Sequence, residues 1–559
     1  MVIGNKKYEL AQTNFPMQIN TNKSNLLNQL DRLNSIGVAL SAEHDNNRLL
    51  EIILLGAIEL TNADGGTLYS VTEEGTLKFE ILRNISLNIA MGGTTDNPIT
   101  FTPLPIYLAD GSPNTNMVAA YSAVNAVTVN IADAYVAEGF DFSGTHKFDE
   151  KMGYHSTSFL TVPMKNYENE MIGVLQLINA IDPVSKQITA FSESHQRLVE
   201  SLASQAAMAL TNHQLIHGLK HLFESFIKLI ADAIDEKSPY TGGHCQRVPE
   251  LTLMLADAAI KTDIGPLRDF SMTEKEVYEL KIAAWLHDCG KVTTPEYVMD
   301  KATKLETIFD RIHLIDHRFD LMATQRENNY LRKILLLDSR EMVNIKQINH
   351  DITVIKKKFD DDKSFIRKVN IGSECMQPAD LKRIIEIAKY EYLNDSGHTV
   401  KFLSDNEVHN LMIERGTLTP EERTVINNHI VVTINMLEAL PYPKDLRRVP
   451  EYAGGHHERM DGKGYPKGLT RDQMSIPARI MGVADIFEAL TSNDRPYKKA
   501  KTLSETLNIL GKMKLDNHID PDIFDLFIRE KIYLKYAEKF LEPQQIDEID
   551  EKNIPGYQI

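Results

Sequence analysis

Two adjacent histidines open the run HHERMDGKGYP at residues 456–466, in which glycine and proline follow the imidazoles closely. Neighbouring side chains on a helix point about 100° apart, so two adjacent rings reach one ion only at a helix end or a kink. Gly462, Gly464 and Pro466 supply such an end. The run therefore indicates either a metal site or a surface loop with two solvated imidazoles, and the pair alone does not decide between these interpretations.

Metal-ligating residue types recur through the second half of the chain. The candidates are His244, His287, Asp288, His429, His456, His457 and Asp485. Imidazole nitrogens combined with carboxylate oxygens suit iron, manganese, zinc or nickel, and they argue against an all-oxygen magnesium or calcium site. Lys291 lies three residues after Asp288, so the two side chains share a face wherever the helical turn continues.

These residues lie in the runs YTGGH (240–244), LHDCGK (286–291), NH (428–429), HHERMDGKGYP (456–466) and IPARIMGVADIFEALTSNDRPYK (476–498). The runs resemble the HD-GYP family of metal-dependent phosphodiesterases. The resemblance covers about Phe226 to Phe527, apart from one insertion. An eleven-residue signature with all its partners in order is far more specific than a lone histidine pair. Two departures are Cys245 and Cys289, which stand where the family usually has Ser and Ile.

The resemblance implies two divalent transition-metal ions per subunit, with iron or manganese favoured. By correspondence of motifs, the first ion takes His244, His287, Asp288 and Asp485, and the second takes His429, His456 and His457, with Asp288 bridging. Such a pair shares a hydroxide of lowered pKa and clamps a phosphate for in-line attack. Part of the family holds a third ion through a glutamate placed where this chain has Tyr240, and a phenol ligates poorly at neutral pH. We therefore expect two ions, not three.

Asp288 and Lys291 are the expected catalytic residues. Lys291 would stabilise the extra negative charge on phosphorus or protonate the leaving oxygen. The structural alternative for Lys291 is a positive charge that complements the dipole at a helix C-terminus.

The substrate that the resemblance implies is cyclic di-GMP, cleaved to pGpG, with further cleavage to GMP left open. Arg495, Tyr497 and Lys498 resemble the family residues near the phosphates and bases of the substrate. Two alternatives stay open, namely a cyclic GMP–AMP hydrolase and a non-catalytic cyclic-dinucleotide signalling scaffold. Degenerate members lose ligand residues, whereas this chain keeps all seven together with Lys291, and this favours the enzyme.

The first part of the chain alternates helical and strand patterns. A helix is expected from Leu27, another through residues 49–54, and strands at 63–70, 77–82, 157–164 and 171–179, separated by Gly, Asn and Asp turns. This pattern predicts an α+β domain with an antiparallel sheet and flanking helices. The segment Met91–Asn125 is rich in Thr, Pro, Asn and Gly and could form a lid over a ligand pocket.

The runs ADGGTLY (63–69), FDEKMGYHSTSFLTVPM (148–164) and IGVLQLINA (172–180) resemble a GAF domain. The resemblance implies a small-molecule sensor that regulates the second half of the chain, with an unknown small ligand. GAF domains that bind cyclic nucleotides carry an Asn-Lys and an Asp-Glu pair after the last strand. Here Asn179 precedes Ala180 and Phe191 precedes Ser192-Glu193, so the Lys and Asp are missing. The alternative is a GAF fold that serves only dimerisation.

From about Ser192 to Lys237 apolar residues recur at steps of three or four. They include Leu198, Leu202, Ala206, Ala209, Ile216, Leu219, Phe223, Phe226, Ile230 and Ala233. This pattern predicts a long helix that pairs with its copy in a homodimer, the alternative being a core helix packed within its own subunit.

We expect five parts: an N-terminal extension at 1–25, a GAF sensor at 26–215 whose last helix runs on to about 237, an all-α HD-GYP domain at 226–540, its helical insertion at about 301–415, and a tail at 541–559. In the insertion, one apolar series runs from Ile308 to Met322 and another from Ile345 to Phe359. Both have helical spacing, which predicts an antiparallel helical hairpin.

Composition limits the environment of the protein. The 559 residues carry a net charge of −17, which disfavours nucleic-acid and anionic-membrane partners. Three cysteines indicate a reducing compartment without a disulfide framework. No apolar run reaches the roughly 18 residues that suggest a membrane span, so a soluble, cytoplasmic protein is expected.

Overall fold

The structure is a computed structural model that describes residues 18–237, 243–336, 345–372, 376–394, 396–493 and 500–558. The chain divides into two compact units, Met1–Leu222 and Phe223–Ile559. Within the described ranges, no helix combines the length and the apolar character that a bilayer crossing requires.

The N-terminal unit contains an antiparallel sheet with helices before and after it. Its elements are α1 (Gln18–Ala42), α2 (Asn46–Thr61), β1 (Ala63–Val71), β2 (Thr76–Asn84), β3 (Ile89–Gly92), β4 (Leu104–Pro105), α3 (Val118–Asn125), β5 (Val129–Ile131), α4 (Ser143–Met152), β6 (Phe159–Lys165), β7 (Met171–Ile181), β8 (Ile188–Thr189) and the start of α5 (Glu193–Lys237). The strand order is β3-β2-β1-β7-β6-β5, with β4 beside β2 and β8 beside β7. The predicted α+β architecture is confirmed.

The main core of this unit lies on one face of the sheet, and two smaller apolar clusters lie apart from it. Leu68 of β1 and Leu175 of β7 pack in the main core with Ile53 of α2 and Leu202 of α5, all with side chains that are fully buried. The helices bring apolar faces to this side because their apolar residues recur at helical spacing. Asp45 caps the start of α2 by accepting a hydrogen bond from the backbone of Arg48 at 2.8 Å.

The apolar residues of α5 that were predicted to form a dimer seam fall into two groups. Leu198, Leu202 and Ala206 are buried in the core of the N-terminal unit, as the core-helix alternative requires. Further along, Leu219 is 65% exposed and Phe226 is 54% exposed. Only this second part of the helix presents an apolar stripe that a second copy could cover.

The C-terminal unit is mainly helical. Its elements are the end of α5, α6 (His244–Lys261), α7 (Glu274–Leu286), a 3-10 turn (Cys289–Thr293), α8 (Glu296–Met299), α9 (Ile312–Leu336), α10 (Ile345–Asn370), α11 (Pro378–Ala388), β9 (Glu391–Leu393), β10 (Thr399–Lys401), α12 (Asp405–Leu411), α13 (Pro420–Asn427), α14 (His429–Glu438), α15 (Val449–Gly454), α16 (Ile476–Thr491), α17 (Leu503–Leu515), α18 (Pro521–Arg529) and α19 (Ile532–Phe540). Short 3-10 turns also occur at Lys444–Leu446, Arg471–Gln473, Pro543–Gln545 and Glu551–Asn553.

Local sequence explains where the helices that approach the candidate site begin and end. Thr419 and Glu422 form a capping box and Pro420 is the first residue of α13. Helix α7 ends at Leu286, one residue before His287. Gly290 lies in the 3-10 turn, where an added Cβ would lie 2.0 Å from the backbone oxygen of His429. Glycine therefore allows this turn to lie directly against α14.

The predicted helical hairpin of the insertion is present as α9 and α10. The two helices run antiparallel, since Asp316 pairs with Arg367 while Glu327 pairs with Lys356. Ile308 lies before α9 and is 96% exposed, so it is not part of the apolar series that we expected. The sequence pattern did not indicate α11, the β9–β10 hairpin or α12, which complete a separate apolar core with the two helices.

Candidate metal centre

Most of the candidate ligands lie at helix ends. His244 is the first residue of α6, His287 follows the last residue of α7, and His429 is the first residue of α14. The His456–His457 pair comes just after α15, at a break in helical structure as its adjacency requires. Asp485 lies inside α16. Five separate elements therefore contribute to one place in the C-terminal unit.

The structure brings all seven predicted ligands together in two groups. The ligand atoms of each group lie within 4.8 Å of one another. One group is His244, His287 and Asp485, and the other is Asp288, His429, His456 and His457. Five of the seven residues are buried, and Asp485 and His457 are partly buried.

Asp288 joins the two groups. Its Oδ2 lies 3.3 Å from Nε2 of His244 and 3.2 Å from Nε2 of His287. Its Oδ1 lies 3.2 Å from Nε2 of His429. Across the site, Oδ1 of Asp485 lies 3.3 Å from Nε2 of His244. This arrangement gives Asp288 one oxygen for each group.

The backbone orients three of the imidazoles in the same way. Nδ1 of His287, His429 and His456 lies 2.7, 2.5 and 2.6 Å from the carbonyl oxygen three residues earlier in each case. A carbonyl oxygen only accepts, so Nδ1 must carry the proton and donate it. The Nε2 atom of each ring is then unprotonated in the neutral imidazole and free to bind a metal ion.

His244 has a carboxylate partner instead of a carbonyl. Its Nδ1 contacts the buried Glu488 of α16, and Arg247 donates from Nε to the other oxygen of Glu488 at 2.7 Å. A carboxylate behind a ligand histidine fixes the ring and raises its basicity. The sequence analysis did not identify Glu488, although its spacing of three residues after Asp485 puts both on one face of α16.

Four buried ligand atoms lack a protein partner in the part of the chain that the structure describes, as expected of atoms that bind a metal ion. Nε2 of His244, His287 and His456, and Oδ1 of Asp288, have no hydrogen-bond partner among the described residues. Each such atom costs about 1–3 kcal/mol if it is left unsatisfied. In addition, Nε2 of His457 lies 3.2 Å from Nε2 of His429, an approach of two nitrogens that a shared cation would explain.

The charge state of the cluster also favours cation binding. Burial, together with the smaller effect of the nearby His287, lowers the pKa of His456 to about 4. Burial likewise lowers the pKa of His457 well below its usual range. Burial opposes ionisation of Asp288, but the charges of Lys291 and His287 hold the pKa of this carboxyl well below its usual range. His456 and His457 are thus neutral imidazoles beside an ionised carboxylate, whereas the charges of Glu488, Asp288 and Asp485 outweigh burial and raise the pKa of His244 well above its usual range.

Lys291 lies beside the cluster. Its Nζ donates to Oδ2 of Asp288 at 2.6 Å. Burial alone would lower the pKa of Lys291, but the charge of Asp288 raises it above its usual value. The ammonium is therefore protonated at neutral pH. Burial raises the pKa of the Cys289 thiol to about 11 and raises the pKa of the Cys245 thiol further, so neither is a thiolate at neutral pH.

The loop after His457 is held by a buried carboxylate. Glu458 accepts hydrogen bonds from the backbone nitrogens of Lys467 at 2.7 Å and Leu469 at 2.9 Å. An added Cβ at Gly464 would lie 2.4 Å from Cα of Glu458, so only glycine fits where the loop folds back. The fold places the ring of Tyr465 on the ring of His457, with centroids 4.8 Å apart.

Several sequence predictions fall where the structure gives no description. Arg495, Tyr497 and Lys498, the predicted substrate-binding residues, lie outside the described residues, as do Tyr240 and Cys375. The two histidines of α9, His313 and His317, are exposed.

The N-terminal unit contains a cavity of about 490 Å³. Residues of the predicted lid segment line it, among them Met91, Phe101 and Ala119. Asn179, which occupies the place of the family's cyclic-nucleotide motif, accepts from the backbone of Thr157 at 2.7 Å and donates to the carbonyl of His155 at 2.8 Å. Its side chain therefore holds the chain between α4 and β6.

Protein-family models match part of each unit. The family described as GAF domain matches residues 45–210, and the family described as HD domain matches residues 403–523. The second match begins near the end of the insertion and includes His429, His456, His457 and Asp485. A solved GAF domain of an Acinetobacter phosphoenolpyruvate-protein phosphotransferase is 18% identical and covers 34% of this chain and 97% of its own, with a TM-score of 0.25.

Curated relatives are similar to the chain over parts of its length. A 3'3'-cGAMP-specific phosphodiesterase of Vibrio cholerae is 29% identical over 194 residues, 34% of this chain and 43% of the relative. A protein named probable cyclic di-GMP phosphodiesterase, also from Vibrio cholerae, is 33% identical over 24% of this chain and 32% of its own length. A cyclic di-GMP phosphodiesterase of Thermotoga maritima is 34% identical over 22% of this chain and 35% of its own.

The chain thus spans less than half the length of these relatives. The matches and the motifs agree on what the chain contains. It contains a GAF domain followed by an HD domain, and relatives that match parts of the chain are named cyclic di-GMP or 3'3'-cGAMP phosphodiesterases.

Proposed function

We propose that the C-terminal unit is a metal-dependent phosphodiesterase that hydrolyses cyclic di-GMP to pGpG. The observation that carries this proposal is the convergence of four buried, unsatisfied ligand atoms around Asp288. The names of the relatives support the substrate class, and the complete ligand set argues against a non-catalytic scaffold. Hydrolysis of cyclic GMP–AMP is the second candidate, because one relative is specific for that nucleotide.

We assign two divalent transition-metal ions to the cluster. His244, His287, Asp288 and Asp485 would hold one, and His429, His456 and His457 would hold the other, with Asp288 shared. Bound ions of this kind polarise a phosphate and lower the pKa of a water molecule. Iron or manganese fits this set of imidazoles and carboxylates with more than four ligand positions better than zinc in its usual tetrahedral geometry.

Lys291 supplies a proton or a positive charge at the scissile phosphate. Its ammonium is fixed 2.6 Å from Asp288 and remains protonated, so it can stabilise charge on a phosphoryl oxygen or protonate the leaving oxygen. Arg495, Tyr497 and Lys498 are assigned to the phosphates and bases on the resemblance of their run to the family alone. Product analysis must decide whether pGpG is cleaved further to GMP.

The remaining assignments concern the whole chain. We propose the boundaries 26–215 for the GAF sensor and 226–540 for the phosphodiesterase, with an insertion at 301–415, an extension at 1–25 and a tail at 541–559. A small ligand of the GAF domain would regulate hydrolysis. The free, neutral thiols of Cys245 and Cys289 fit a reducing compartment such as the cytoplasm. The acidic net charge fits neither nucleic acid nor a membrane as partner.

Replacing Asp288 or Lys291 should separate metal binding from catalysis. Asp288→Ala should lose hydrolysis of cyclic di-GMP and most of the bound metal, because both groups of imidazoles depend on its carboxylate. Lys291→Ala should keep the metal and lose about 10²–10⁴-fold in kcat, the usual contribution of a general acid. Metal analysis and product chromatography of anaerobically purified protein would measure both. Wild-type hydrolysis by Asp288→Ala would rule out the two-metal assignment.

The metal count should be two per subunit. Tyr240 stands where a third ion would need a carboxylate, and Asp235, a carboxylate before it, instead accepts from the backbone of Gly243 at 3.0 Å. Anomalous scattering at the iron and manganese edges would count and identify the ions. A third fully occupied peak with a protein carboxylate ligand would contradict the prediction.

The exposed part of α5 should form a homodimer seam. A monomer would leave Ile216, Leu219 and Phe226 in water, and burial against a second copy would remove that apolar area. Leu219→Glu should shift the protein towards monomer at micromolar concentration, since a seam would bury its unpaired charge. Light scattering would measure this, with Ile188→Glu on exposed β8 as the control. A wild-type monomer would reject the seam.

A further inference from the structure

The cavity of the N-terminal unit is lined mainly by apolar and aromatic side chains. Its volume of about 490 Å³ is within the size range of small-ligand sites. Five phenylalanines line it, namely Phe79, Phe101, Phe142, Phe148 and Phe159. Leucine, isoleucine and methionine side chains add to this wall.

The cation on the cavity wall is already neutralised. Arg83 is the positively charged residue among the described residues that line the cavity. Its Nε and Nη2 donate to Glu51 at 3.0 and 2.7 Å, and its Nη1 donates to the carbonyl oxygens of Leu82 and Met91. These bonds engage all three nitrogens of the guanidinium. The residue Arg83 as a whole is 8% exposed. A ligand phosphate would therefore have to displace Glu51 from a bidentate pair.

The other charge on the wall has the wrong sign for an anion. Asp141 lines the cavity, and hydrogen bonds from Ser143 lower the pKa of its carboxyl. Nearby polar side chains are neutral and also paired, since Tyr69 donates to Gln176 at 3.3 Å and Gln176 donates to Thr161 at 3.1 Å. The cavity thus offers aromatic surface and a few neutral hydrogen-bonding groups.

We propose that this cavity binds an uncharged, ring-containing molecule with few polar groups, and that it does not bind a cyclic nucleotide. The proposal rests on the proposed regulatory role of the GAF domain and names the chemical class of its ligand. Ring stacking and apolar burial would supply most of the affinity, because no unpaired cation among the described lining residues is available for a phosphate.

Binding of the neutral fluorophore N-phenyl-1-naphthylamine to the full chain would test this class. The wild type should bind one probe per subunit, and cyclic GMP or cyclic AMP should not displace it. Ala119→Phe should fill the cavity and abolish binding, with Ala119→Leu as a smaller substitution and circular dichroism to verify folding. Ile188→Phe, on exposed β8, should bind as the wild type does.

Displacement of the probe by a cyclic nucleotide, or full binding by folded Ala119→Phe and Ala119→Leu, would overturn the proposal. The measurement does not depend on phosphodiesterase activity. If the protein binds the probe but its hydrolysis of cyclic di-GMP is unaffected, the ligand class stands and the regulatory role fails.

A separate observation concerns the last turn of α5, which lies in the C-terminal unit. Nζ of Lys237 donates to the backbone carbonyl oxygens of Lys291 at 3.2 Å and Thr294 at 2.7 Å, and also to that of Val292. These carbonyls belong to the 3-10 turn that carries Lys291 and to the residue after it. One ammonium therefore holds the backbone of the proposed catalytic lysine.

Two residues earlier, a carboxylate holds a second element of the site. Oδ2 of Asp235 accepts from the backbone nitrogens of Gly243 at 3.0 Å and Cys245 at 3.2 Å, on either side of His244. Asp235 is 8% exposed, and its oxygens satisfy backbone donors at the start of α6 that have no intrahelical partner. The two side chains thus fix the backbone at Lys291 and at His244.

We infer that Lys237 and Asp235 are positioning residues for the proposed hydrolysis, the first for Lys291 and the second for His244. The two roles predict different defects. Loss of Lys237 displaces a group that acts on substrate, which lowers kcat. Loss of Asp235 loosens a metal ligand, which weakens metal retention. This inference rests on the proposed phosphodiesterase function.

Lys237→Met should lower kcat for cyclic di-GMP about tenfold with unchanged metal content, a modest loss for a displaced catalytic group. In the Lys291→Ala background it should have no further effect, and Lys237→Arg should recover part of the rate. Asp235→Ala should release metal to a chelator faster than the wild type, and Asp235→Asn, whose amide oxygen accepts the same bonds, should recover most of the retention.

The matched controls are Lys261→Met and Asp257→Ala, which break an exposed ion pair on α6. Both should behave as the wild type. The role of Lys237 would be overturned if the losses of kcat caused by Lys237→Met and Lys291→Ala multiply in the double variant. It would also be overturned if Lys237→Met loses metal. Unchanged metal release by Asp235→Ala would overturn that of Asp235. A wild type that binds metal but cleaves no cyclic dinucleotide would defeat the proposed function, and the chelator assay would still test Asp235.

Discussion

The buried carboxylate of Asp288 sets the geometry of the C-terminal unit. Its oxygens lie within 3.3 Å of imidazoles from three helices, and Lys291 neutralises it at 2.6 Å. A carboxylate side chain is short, so α6, α7 and α14 must meet within a few ångströms of it. Helix α14 can come this close because residue 290 is glycine. Even a methyl group at Gly290 would overlap the backbone of α14.

Helix ends are suited to presenting these ligands. The last carbonyls of a helix lack intrahelical donors, and a histidine just beyond the end can donate Nδ1 to one of them. His287 and His456 use Ala284 and Ala453 in this way. The same bond satisfies a backbone oxygen and turns Nε2 towards the cluster. The candidate metal centre therefore needs few dedicated orienting side chains, and Glu488 takes the place of a backbone carbonyl at His244.

The sequence predicted the parts of this protein that depend on local pattern. The strands of the N-terminal unit and the convergence of the seven candidate ligands follow from spacing and motif. The sequence did not predict which part of α5 packs in its own subunit. Leu202 and Leu219 belong to the same helical spacing and differ only in their tertiary surroundings. Glu488 was missed for a similar reason, since a lone glutamate on a helix shows its role only when His244 lies against it.

The insertion shows how the site tolerates a long interruption between His287 and His429. Its apolar residues form their own core, so they do not compete for the core around α7 and α16. Its two ends are joined, because Thr417 donates to the carbonyl of Lys301 at 2.9 Å and the ammonium of Lys301 pairs with Glu422 at 2.7 Å. An insertion whose ends meet adds chain without separating the elements before and after it. The turn that carries Lys291 and helix α14 can therefore lie as close together as a short loop would place them.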